Sequence, residues 1–145
     1  MKRKNIDGAN RRLIWIGSIL ILMGVGIMAV VAASAAADAE WCDKVLEMSA
    51  QYMKPHKGGL DYSSATESQI KEALPSLEEA YKACEIREEG RVRYEGNLER
   101  AGWDLALAYL RLHERSDAEE VLRTLSSVYA GSAFGDHCAL LLSQE

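Results

Sequence analysis

Cysteine is scarce in this 145-residue chain. Cys42, Cys84 and Cys138 stand far apart, with no CxxC and no Cys/His metal spacing among them. That excludes a zinc site and a dense disulfide scaffold. In an oxidising compartment one pair could form a disulfide and leave one thiol free; equally, all three could be small buried residues that pack like Ala or Val. Proline is scarcer still, with only Pro55 and Pro75 to interrupt helical runs. Positive charge is in short supply over residues 38 to 145, which hold 12 basic against 21 acidic residues. Such a surface is soluble and repels anionic lipid headgroups and nucleic acid. It carries no basic patch with interleaved aromatics, which argues against nucleic-acid binding.

Charge of either sign is missing from Leu13 to Ala37, a run of 25 residues preceded by Lys2, Arg3, Lys4, Arg11 and Arg12. A membrane-spanning helix needs about 20 apolar residues, and a basic flank stays in the cytoplasm. The expectation is a single-pass protein of the inner membrane: a cytoplasmic head over 1–12, a transmembrane anchor over 13–37, and an extracytoplasmic remainder. The head is too short to fold. Ala33-Ser34-Ala35 and Ala35-Ala36-Ala37 are the small-x-small sites a signal peptidase uses, so a cleaved signal is the competing reading. Length favours the anchor, because Leu13 to Val31 alone supplies 19 uncharged residues, against about 7 to 15 in a signal. Ala29, Ala33 and Ala37 recur on one helical face and would let two spans approach. Trp15 and Trp41 suit membrane interfaces, and equally suit ordinary packing.

Beyond the span the periodicity is helical. Trp41, Val45, Met48 and Tyr52 recur at three and four residues until Pro55. Residues 56 to 64 read as a loop from their glycines and short polar side chains, so 38–64 is a juxtamembrane helix and loop. A second stretch, about Ala65 to Glu89, carries Ile70, Ala73, Leu74, Leu77, Ala80, Tyr81 and Cys84 as an apolar stripe and stops at Gly90. Pro75 makes it either one kinked helix or two helices. A third stretch, about Asn97 to His113, carries Leu98, Ala101, Leu105, Ala108, Tyr109 and Leu112. After Glu114-Arg115, Ser116-Asp117-Ala118-Glu119 reads as a capping box that starts a new helix with Ala118, Val121, Leu122, Leu125 and Val128 on its packing face. A short turn between two amphipathic helices makes an antiparallel hairpin. Residues 132 to 143 carry Ala133, Ala139, Leu140, Leu141 and Leu142 as apolar residues.

Leu105-Ala106, Tyr109, Ala118 and Leu122 together resemble a tetratricopeptide repeat over residues about 100 to 130, in which small residues at the Ala106 and Ala118 places let the paired helices touch. The match departs in three places: His113 or Glu114 stands where the turn usually has Gly, Trp103 is displaced by one, and no Pro follows Tyr129. The segment 101–110 also looks like the last repeat of bacterial envelope proteins in which one span precedes a short periplasmic repeat array. The fold class this implies is all-α: an N-terminal transmembrane helix followed by a small antiparallel α-hairpin, a TPR-like helical domain over 65–145. About two repeats are present where three usually make a stable stack, so the domain would lean on a partner or on a second copy of itself.

The resemblance implies binding rather than chemistry: a non-catalytic scaffold or adaptor for protein partners in the cell envelope, with no cofactor and no metal. A signalling component acting through its span is the alternative reading. A hydrolase built on His137 and Cys138, or on Glu78 and Glu79, lacks an oriented third group and oxyanion donors, and adjacent Glu residues mark a solvated face. Contact energy in interfaces concentrates on aromatics and Arg, which points to Trp103, Tyr109, Arg111 and Arg100. Tyr109 also fits the core.

Overall fold

The computed structural model describes residues 28, 30–50 and 59–144 of the chain, which divides into two compact units, Met1–Ala37 and Asp38–Glu145. The cytoplasmic head and most of the anchor expected over 13–37 lie outside the described residues, as do residues 51–58 with Pro55. Among the described residues no helix is long and apolar enough to cross a membrane. Within the first unit residues 30–37 are helical, and Val30 and Val31 are 71% and 60% exposed.

In the second unit residues 38–49 form α1, followed by α2 (Glu67–Lys82), a hairpin of β1 (Glu85–Glu88) and β2 (Arg91–Tyr94), then α3 (Leu98–Arg111), α4 (Arg115–Val128) and α5 (Ala133–Leu142). The fold is mostly helical, as the periodicity leads one to expect. The α2, α3, α4 and α5 helices pack in chain order, each on the next.

The core is centred on α3, which buries Leu98, Gly102, Trp103 and every residue from Leu105 to Ala108, then Leu110. Facing it, α4 buries Ala118, Val121, Leu122 and Leu125. Ala106 and Ala118 are both fully buried, and at Gly102 an added Cβ would stand 2.7 Å from Leu125 of α4. Three residues separate α3 from α4. His113 takes a left-handed conformation (φ 57°), with its N–H donating to the Leu110 carbonyl and the Glu114 N–H donating to the Tyr109 carbonyl. This is the paired hydrogen-bond closure that helices usually make with glycine, here made by a histidine.

The Asp38–Ser49 segment of α1 joins this core through Trp41, Cys42, Val45, Leu46 and Ser49. Trp41 is a packing residue: it is buried, its Nε1–H donates to the Gln144 carbonyl, and the Arg115 guanidinium lies 4.7 Å from the centre of its ring. Arg115 also reaches Asp38 at 3.7 Å, and His113 meets Asp43 at 3.1 Å.

Three sequence expectations are corrected. The second helical stretch ends at Lys82, not Glu89, and residues 85–94 form an antiparallel hairpin in which Glu88 faces Arg91 and Glu85 faces Tyr94. Its two-residue turn, Glu89-Gly90, has φ of 49° and 77°, the doubly positive backbone that matches strand twist. Gly90 therefore serves a strand turn rather than a helix stop. Pro75 sits inside a single α2 helix, the first of the two readings its position allows. The helix start at Ser116 moves to Arg115 with no side-chain cap; Glu119, expected to reach back, instead pairs with Arg115 at 2.7 Å and with Arg123 at 2.6 Å. A complete capping box stands at Thr66 and Gln69, ahead of α2.

Candidate functional site

The α2 helix covers only one flank of the α3–α4 pair, and the space it leaves is an open groove of ≈ 250 Å³. Residues at three- and four-residue spacing bring α2's Glu78, Tyr81 and Lys82 to one wall, with Glu85 just beyond the helix. Leu105 and Tyr109, one turn apart, come from α3; Asp117, Glu120 and Val121 come from the first turns of α4. Leu105 and Val121 are buried and make an apolar floor, while Tyr81 and Tyr109 are half-buried.

The polar part of the groove is one-sided in charge. Glu78, Glu85, Asp117 and Glu120 line it against a single cation, Lys82. Glu85 is occupied by Arg87 at 2.6 Å. Glu78 accepts a hydrogen bond from the Tyr109 hydroxyl at 2.8 Å. Asp117 and Glu120 have no basic partner among the described residues. Burial raises the Tyr109 phenol above its ordinary range, and its bond to Glu78 raises it further. Burial likewise raises Tyr81. At the neighbouring helix start, burial and then the charges of Asp117 and Glu78 push the Glu114 carboxyl above its usual value, with Lys71 opposing. Negative charge at this end of the molecule is thus incompletely compensated.

The four residues expected to make contacts do not share a surface. Trp103 is buried between α3 and α5, edge-on to Phe134 at 5.7 Å and tilted against His137 at 5.9 Å; Tyr129 extends the cluster to Phe134 at 5.5 Å. Arg111 reaches the end of α3 and donates from Nη2 to the Ala65 carbonyl at 2.9 Å, tying α3 to the segment before α2. Arg100 is exposed and lies near Asp104, whose carboxyl burial raises and Arg100 lowers. Only Tyr109 lines the groove. Its partners there, Glu78 and Tyr81 from α2 and Asp117 and Glu120 from α4, carried no separate signal. Each belongs to a helix face that reads as solvated or as stripe, and only packing brings the faces together.

His137 and Cys138 are both buried. Burial, then the charge of Glu99, pushes the Cys138 thiol up to about 12, and burial lowers the His137 imidazole. This is the opposite of a thiolate–imidazolium nucleophile. Burial, followed by Asp38 and Asp43, pushes Cys42 up to about 11. All three cysteines are free thiols in the core, so their packing role is the one realised. Among the described residues no group of His, Cys, Asp and Glu could hold a metal ion. Comparisons with protein-family models, with characterised proteins and with solved structures find no match to this chain.

Proposed function

We propose that this chain is a membrane-anchored, extracytoplasmic protein-interaction module, a non-catalytic scaffold or adaptor of the cell envelope whose docking site is the groove between α2 and the α3–α4 pair. The observation that carries the reading is the groove itself: open, floored by Leu105 and Val121, walled by two tyrosines and edged by four carboxylates, of which Asp117 and Glu120 have no ion-pair partner among the described residues. Wet, partly apolar concavities with tyrosine walls suit peptide and protein contact, because Tyr offers a large rigid surface with few torsions to freeze. The TPR-like reading of α3 and α4 draws support from the full burial of Ala106 and Ala118. The anchor draws support from the exposed Val30 and Val31 on a helical segment, apolar side chains that a bilayer would cover.

The test is recovery of crosslinked partners from detergent-solubilised membranes, comparing the full chain with its Tyr81→Arg variant, which fills the groove. Loss of a protein partner with the variant is the expected result. Retention of every partner would move the function away from the groove and toward signalling through the span. Release of the chain from membranes by alkaline carbonate would sink the anchor.

A further inference from the structure

We propose that the groove takes a basic residue, Lys or Arg, carried on an extended segment of a partner protein, with its aliphatic stem on Leu105 and Val121 and its cation between the tyrosine rings and the carboxylates of Asp117 and Glu120. The inference rests on the reading of the groove as a docking site and names what docks there.

Three features of the groove converge on this class of ligand. The floor is apolar but short, one residue from α3 and one from α4, which matches a methylene chain better than an aromatic anchor. Its walls are Tyr81 and Tyr109, and ring faces attract a partly desolvated cation. Its rim is predominantly acidic, four carboxylates against the single cation Lys82. Glu85 is neutralised by Arg87 and Glu78 is engaged by Tyr109, which leaves Asp117 and Glu120 as acceptors with no cation from the described residues. An acidic peptide would meet like charge at this rim, and a neutral apolar peptide would leave the two carboxylates to be desolvated without a partner.

The test uses the full chain in nonionic detergent and three fluorescein-labelled hexapeptides followed by anisotropy. One carries Leu-Arg-Leu-Lys between alanines, one has both basic residues replaced by Glu, and one has both replaced by Gln. The expected result is saturable binding of the basic peptide, strongest at low salt and weaker as ionic strength rises. Asp117→Asn with Glu120→Gln should weaken it by roughly 3- to 20-fold, while Glu72→Gln, on α2 outside the groove, should leave it unchanged. Asp117 and Glu120 are both exposed, so the double variant should fold; an unchanged circular dichroism melt checks this. Equal binding of the Gln peptide, insensitive to the double variant, would overturn the cationic class and keep the docking groove. No saturable binding of any peptide would overturn both. Concentration-dependent self-association abolished by the double variant would assign the groove to a second copy of the chain and overturn the partner segment.

Discussion

The α2 and α3 helices are nearly equal in length, 16 and 14 residues, and both carry apolar residues at helical spacing, yet their fates differ. The α3 helix lies between α2 and α4 and buries eight residues, which makes it the structural axis of the domain. The α2 helix is an edge element. It packs on α3 and buries only Ile70, while Ala73, Leu74, Leu77 and Tyr81 stay half-covered and Ala80 is exposed. A stripe of apolar residues specifies that a helix is amphipathic; the number of neighbours specifies how much of the stripe leaves water. What α2 leaves uncovered is the groove, so of these two helices the one that buries less supplies the groove's wall.

Paired truncations break this comparison most directly. Leu122, fully buried on α4 against α3, should cost about 2 to 5 kcal/mol as Leu122→Ala, whereas the half-buried Leu77→Ala on α2 should cost about 1 kcal/mol. Thermal unfolding of the full chain followed by circular dichroism reads the difference, and equal losses would show that α2 is as much core as α4. Next in size is Gly135→Ala on α5. A Cβ there would stand 2.1 Å from the Tyr129 carbonyl oxygen, and that backbone is held by Ser132, whose hydroxyl donates to the same oxygen at 2.7 Å. A loss of about 1 to 3 kcal/mol is expected from overpacking; a neutral substitution would mean that the 129–132 turn yields freely.

A smaller effect of opposite sign is expected at the α3–α4 turn. His113→Gly removes a left-handed non-glycine residue, a strain of about 1 kcal/mol or more. It also removes an exposed pair with Asp43 that contributes about 0 to 1 kcal/mol. Net stabilisation of about 0.5 kcal/mol should follow, and a lower melting temperature would show that the Asp43 contact outweighs the strain.

The smallest effect is a pH slope. Burial holds His137 below its ordinary value of 6.5, so the unfolded chain binds the proton more readily than the folded one. Stability from this residue is therefore complete above pH 6.5 and falls as pH drops through 6.5 toward the folded value. Melts of the chain and of His137→Gln between pH 8 and 5 should show a shallower decline in the variant; parallel curves would remove His137 from the pH response.

Much of the helical order is legible from single residues. The stripes of α3 and α4 follow from spacing alone, and the α3–α4 break is legible to within a residue or two. The hairpin was less legible, because Glu85 to Glu89 continues the helical composition of α2 and only the alternation Arg91-Val92-Arg93-Tyr94, with Gly90 in the turn, argues for strands. Ser116 and Glu119 form a capping box in sequence that is not made in space. Arg115, one residue earlier, captures Glu119, and two charge-assisted hydrogen bonds outweigh one backbone cap. Trp103 shows the same limit: an aromatic in an amphipathic stretch can face a partner or a neighbouring helix, and here Phe134 and His137 of α5 cover it.

A helical chain with a charge-free N-terminal run, an acidic remainder and no metal spacing is readable residue by residue, because periodicity and charge are local properties that each segment carries alone. The tertiary structure decided which faces met water. Tyr109 bonds to Glu78 and shares a groove with Asp117 and Glu120 because α2 covers one flank of α3–α4 and not the other. That coverage is a property of neighbours, which no single segment encodes.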